Sequence, residues 1–166
     1  PLRFCFFLQN DKNENVKIIA GPVADPTATR KLFEVGVEVV RVGFDSRFDS
    51  QNYMETGVAM PHASSLSING EVARNFSKHI FAAGHYTDTA DISKSICLGA
   101  TAVEISEMFY GHEESYGRTE TIDGKMYKNN TEYNGQIINT TIDMQRQLIK
   151  SCQLAGYKTL KSFRDS

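Results

Sequence analysis

The chain has 166 residues, 40% hydrophobic and 23% charged, with a net charge of −2 at pH 7. That mixture belongs to a globular chain long enough to bury a real core, and it excludes a disordered polymer. The slightly acidic balance argues against a nucleic-acid binder, which carries a basic patch. No apolar run reaches the roughly 20 residues that span a bilayer.

The opening PLRFCFFLQN has no initial methionine and lacks the build of a secretory signal. It reads as a short apolar strand over 2–8, broken by the polar cluster NDKNEN. Val16 to Ala20 is the next predicted strand, ending at Gly21. Asp25-Pro26 then starts a helix, with Asp as N-cap and Pro at the first helical position, where its missing N–H costs nothing. This helix stops at Gly36, and Val37 to Val42 forms a strand ending at Gly43. A long polar loop follows, VGFDSRFDSQNYMETGVAMP in full. Ser64 to Lys78 has helical spacing, with an interruption expected at Asn69-Gly70. His79 to Ala83 is a strand ending at Gly84, Asp88 to Leu98 a helix closed by Gly99, and Thr101 to Ser106 a strand. Ile122-Asp123-Gly124-Lys125 reads as a hairpin turn, since Asp-Gly favours positive φ. Thr141 to Leu154 and Lys158 to Phe163 are closing helices parted by Gly156.

Strand and helix alternating at this spacing predict a single α/β domain over 1–166, a parallel sheet of about five strands with helices outside. Three successive strands, KIIAG, VVRVG and IFAAG, end in glycine. Such glycines let a ligand approach the strand ends, where these folds bind ligands, or they serve only tight turns. Cys5, Cys97 and Cys152 lack paired spacing and suit reduced thiols in the core of a cytoplasmic protein; they support neither zinc nor disulfides. Arg41, inside a strand, is expected to lie at a layer edge or to pair with a carboxylate.

Several stretches carry a resemblance. VVRVGF followed by TGVAMPHASSL is similar to a strand and catalytic loop leading into TGVGYPQLSAV. GATAVEISEM is similar to GADFVMLGGM, GHEESYG to GHDESGG, and IDGKMYK to RDGKKYK. Together, from Ala20 to the C-terminus, they resemble the second half of the (β/α)₈ barrel of the GMP reductase and IMP dehydrogenase family, with GMP reductase the nearer branch. The resemblance implies half of a TIM-type barrel, with a hairpin and closing helices appended.

It also implies a chemistry: a thiolate attacks the purine carbon, a threonine and a flap glutamate manage protons, an aspartate holds the ribose, and backbone N–H groups hold the phosphate. NADPH supplies hydride in the reductase. Counting back from Thr56-Gly57-Val58, Ser50 and Gln51 stand at the cysteine and threonine positions, and Asp45 and Arg47 replace loop glycines. An unactivated serine is a far poorer nucleophile than a thiolate. The ribose aspartate falls at Ala83, and the glycine pair after it is Gly84-His85. The second phosphate-binding pair is Ser106-Glu107, whose carboxylate opposes a phosphate. NNTEYNGQIINT joins the hairpin to the last helix with no room for the flap.

The expected outcome is a protein without catalytic residues, cofactor or metal, in which Ala83, Gly84, His85, Ser106 and Glu107 are vestigial nucleotide-binding positions. Asp45, Arg47, His112 and Glu113 remain as candidate surface-site residues, the last two matching the family's GHDES. A metal-assisted site from His85, Glu107 and His112 is a further reading, though its spacing fits no metal motif. Half a barrel leaves an open sheet, a hazard unless it is covered. Self-association, a partner chain over the edge, or the chain's own helices would each cover it. The sequence therefore predicts a pseudoenzyme acting through protein contacts, most simply as a homo-oligomer. The alternative is a nucleotide-binding or active NADPH-dependent GMP reductase relative, completed by a missing N-terminal half.

Overall fold

The computed structural model describes residues 16–43, 51–57, 59–128 and 131–165. Among these the chain divides into two compact units, one built on residues up to His85 with Lys94–Glu104, the other on Tyr86–Ser93 and Ile105–Phe163. The predicted strand over 2–8 lies outside the described residues.

The first unit is a parallel sheet in the order β1-β2-β3-β4, with β1 Ile19–Val23, β2 Val39–Val42, β3 His79–Ala83 and β4 Ala102–Glu104. Between β1 and β2 runs helix α1, Pro26–Glu34, and its start is as the sequence predicts: Asp25 Oδ2 accepts from Ala28 N at 3.0 Å. A short helix α2, Gln51–Thr56, precedes α3, His62–Phe76. Strand β1 does not end at Gly21. It runs on through a cis Gly21–Pro22 bond, with a register shift between Ala20 and Val23.

One face of the sheet packs on α1 and α3. Val40, Val42, Ile80 and Ala82, in alternation along β2 and β3, are fully buried with Leu66 and Val37. The residues between them, Arg41 and Phe81, are only half-buried. Truncating Leu66 in such a core costs about 2–5 kcal/mol.

Helix α3 is continuous through Asn69-Gly70, against expectation. The Asn69 side chain is fully buried and donates to Ala24 O at 2.8 Å and Ser65 O at 2.7 Å, while Thr29 Oγ1 donates to Asn69 Oδ1. A Cβ on Gly70 would lie 2.6 Å from Leu98 O. The pair is there for packing: an amide ties α3 to α1, and a missing side chain lets α3 lie against backbone.

The second unit holds an antiparallel sheet of β5 Thr119–Ile122, β6 Lys125–Lys128 and β7 Thr131–Glu132. The β5–β6 turn is the predicted one, with Asp123 at φ 49° and Gly124 at φ 78°. Strand β7, unforeseen in the sequence, pairs with β6 before helix α5, Ile137–Leu154. A short helix α6, Leu160–Arg164, follows. Helix α4, Thr89–Cys97, begins where Asp88 Oδ1 accepts from Asp91 N. Its Cys97 is exposed, not a core thiol, whereas Cys152 on α5 is buried.

Candidate functional site at the strand ends

The candidate site in the first unit is the C-terminal end of the sheet. There β2 and β3 pinch together. Gly43, at φ 122°, donates its N–H to Val23 O at 2.9 Å, and a Cβ on it would stand 1.7 Å from Ala83 O. Gly21 is similarly pressed: its Cβ would meet Arg41 O at 2.5 Å. Close strand approach and positive φ therefore account for two of the three strand-end glycines without a ligand.

Over this pinch lies an imidazole. The Cβ position of Gly43 is 2.7 Å from His62 Cε1, and that of Gly84 is 3.2 Å from both Cε1 and Nε2 of His62. His62 is the first residue of α3, directly after Pro61, so the helix start aims its ring across the ends of β2 and β3. His85, the histidine that sequence reading placed against this backbone, is exposed. His62 was missed because it sits some twenty residues from either glycine in sequence, and nothing local marks it.

Ala83 ends β3 buried, with 5% of its surface exposed, and brings no hydrogen-bonding side chain. One charged pair on the sheet is self-contained. Arg41 on β2 reaches across β3 to Glu104 on β4, Nε to Oε2 at 2.7 Å and Nη2 to Oε1 at 2.9 Å. A carboxylate partner, one of the two settings expected for Arg41, is thus present, and the pair is bidentate. Asp45, Arg47 and Ser50 lie outside the described residues, and Gln51 opens α2.

The remaining candidates belong to the second unit. Ser106 is exposed, and Glu107 begins a single 3₁₀ turn, Glu107–Phe109. His112 is buried, 1% exposed, with Nε2 at 2.7 Å from Thr140 Oγ1; its Nδ1 has no hydrogen-bond partner among the described residues. Glu113 is exposed; its N–H donates to Gly135 O and its carbonyl accepts from the buried Lys128 ammonium. Glu114 accepts from Ile137 N at 3.0 Å, at the start of α5. That hydrogen bond, with lesser help from the charges of His112 and Lys128, holds the Glu114 carboxyl below its ordinary range. The GHEES segment thus works as a clip between the small sheet and α5. Among the described residues no three His, Cys, Asp or Glu side chains gather as metal ligands, and no helix is long and apolar enough to cross a membrane.

Residues 7–150 match the model of the IMP dehydrogenase / GMP reductase domain. The chain belongs to that family. It is 33% identical to a GMP reductase of Staphylococcus saprophyticus over 90% of this chain and 52% of that protein. It is 36% identical to an inosine-5'-monophosphate dehydrogenase of Staphylococcus haemolyticus over 71% of this chain and 24% of that protein. Its fold matches a crystal structure of a GMP reductase from Trypanosoma brucei, with a TM-score of 0.89 at 23% identity, covering 98% of this chain and 38% of the other. The chain spans about half the length of the curated GMP reductases it matches. The α/β fold with a parallel four-stranded sheet is accordingly that of part of a TIM-type barrel.

Proposed function

We propose that this member of the GMP reductase family has lost purine-nucleotide chemistry and acts through protein contacts, as a structural or regulatory pseudoenzyme. The observation that carries the reading is the His62 imidazole lying against Gly43 and Gly84. Anion binding at strand ends depends on backbone N–H groups left open to the ligand; here a ring lies on the Cβ side of both glycines, and the Gly43 N–H is already given to Val23 O. Ala83 beside it offers ribose hydroxyls no side-chain acceptor, and Arg41 is already bound to Glu104. With no purine held there is no hydride acceptor, so the reading includes no NADPH. A cytoplasmic setting suits Cys97 and Cys152, neither of which is in a disulfide.

The test is a calorimetric titration with GMP and with IMP. No heat at high nucleotide concentration is expected, and micromolar binding of either would overturn the reading. The second reading is a nucleotide-binding or active NADPH-dependent relative completed by a further N-terminal half. Its support is the match to GMP reductase over 90% of this chain, and it requires that GMP bind.

A further inference from the structure

The seven tyrosines of the chain differ sharply in their access to solvent. Tyr86 is buried, Tyr53, Tyr127, Tyr133 and Tyr157 are half-buried, Tyr110 is 46% exposed and Tyr116 is 95% exposed. A ring standing that far out adds little to the core, so packing does not account for Tyr116.

Tyr116 lies in an irregular segment between the 3₁₀ turn Glu107–Phe109 and β5. That segment is anchored by its backbone and by the residues just before the ring. The Glu113 N–H donates to Gly135 O, the Glu113 carbonyl accepts from the Lys128 ammonium, and Glu114 accepts from Ile137 N. Ser115 Oγ donates to His112 O at 2.8 Å, and Gly117, at φ 111°, turns the chain directly after the tyrosine. The ring is thus presented to solvent from a fixed base.

The charge leading up to it has one sign. From Gly99 to Gly117 the sequence carries Glu104, Glu107, Glu113 and Glu114 and not one Lys or Arg. Glu113 and Glu114, third and second before the tyrosine, are both exposed. Arg118 comes two residues after it. Tyr110 supplies an internal contrast: Met108 and Phe109 stand directly before it, and its ring is only half as exposed.

We propose that Tyr116 is a phosphorylation site, the acceptor for a protein tyrosine kinase whose substrate cleft is cationic where Glu113 and Glu114 enter it. The phenol oxygen attacks the γ-phosphorus of a nucleoside triphosphate. The new O–P bond forms as the bond from that phosphorus to the β,γ-bridging oxygen breaks, the nucleoside diphosphate leaves, and the phenolic proton passes to the kinase's base. Exposure gives the hydroxyl the reach to enter another protein's active site. The two carboxylates before it give complementarity to a cationic cleft. The product carries about −1.5 to −2 charge at pH 7 and three strong acceptor oxygens beside two glutamates. No atom at the strand ends takes part, so the site stands or falls apart from the loss of nucleotide chemistry.

The test treats the whole chain with ATP and a purified tyrosine kinase that selects acidic substrates, read by intact mass and peptide mapping. Phosphate at Tyr116 is expected, with none in Tyr116→Phe at an unchanged melting temperature. Glu113→Lys should lower kcat/KM for labelling roughly tenfold, whereas Tyr110→Phe should leave it as it was. The site is overturned if no label appears while a control acidic peptide is modified. Label shared equally with Tyr110, or a rate indifferent to Glu113→Lys, would overturn it too.

Discussion

Arg41 and Glu104 clasp each other across an intervening strand, two parallel N–H···O bonds joining β2 to β4 over β3. The pair is fixed in geometry but partly in water, with side chains 34% and 53% exposed. Screening by solvent limits what it contributes, to about 1 kcal/mol or less. A double-mutant cycle of Arg41→Ala and Glu104→Ala in urea denaturation should return a coupling of that size, falling further in high salt.

Ala83→Asp places a carboxylate at the end of β3, at a position only 5% exposed. A buried carboxylate without a partner is destabilising by several kcal/mol unless it stays protonated. The melting temperature should fall, and excess GMP should not recover it while the His62 ring remains over Gly43 and Gly84. Recovery of the melting temperature by GMP would show that the strand ends still accept nucleotide.

Gly70→Ala sets two effects against each other. Helix propensity favours alanine by about 1 kcal/mol. The new Cβ, 2.6 Å from the Leu98 carbonyl oxygen, meets backbone that cannot swing away. Overpacking of this kind costs about 1–3 kcal/mol, so a net loss of stability is expected by denaturant titration.

Asn69→Leu removes the amide that serves Ala24 O and receives Thr29 Oγ1. The buried Thr29 hydroxyl loses its acceptor, while Ala24 O keeps the hydrogen bond from Ser65 Oγ, so a loss of about 1–3 kcal/mol should appear as a lower urea midpoint. Replacing Thr29 with Val in the same protein should recover part of it.

Glu114 gives the acid limb. Its carboxyl is lowered chiefly by the hydrogen bond from Ile137 N. A depressed carboxylate stabilises the fold fully above its ordinary value of 4.5 and loses that contribution as pH falls through the lowered value. The α5 start should therefore loosen only in acid, and Glu114→Gln should flatten the pH dependence of the melting temperature below the ordinary carboxylate range while changing little near neutrality.

Elements ruled by local chemistry were legible in the sequence. The Asp25-Pro26 helix start, strand β3 and the Asp123-Gly124 turn each depend on residues within a turn of one another. The misreadings have a common cause in distant partners. Asn69-Gly70 looks like a helix breaker until Ala24 O and Leu98 O are set beside it. Strand β7 is two residues long and exists because β6 is there to pair with it. Arg41 allowed a carboxylate partner, but only the sheet register could choose Glu104, 63 residues away. At the candidate site, the ring of His62 over the glycines was not readable, because it comes from a helix start far from both in sequence.

The order β1-β2-β3-β4 has a consequence for amide exchange. Strands β2 and β3 have neighbours on both sides, whereas among the described residues β1 and β4 each have one. Deuterium should thus enter from the margins inward, quickly at β1 and β4 and slowest at Val40, Val42, Ile80 and Ala82. The margins then act as a detector: any polypeptide that adds a strand to the sheet would slow exchange at β1 or β4 and leave the centre as it was.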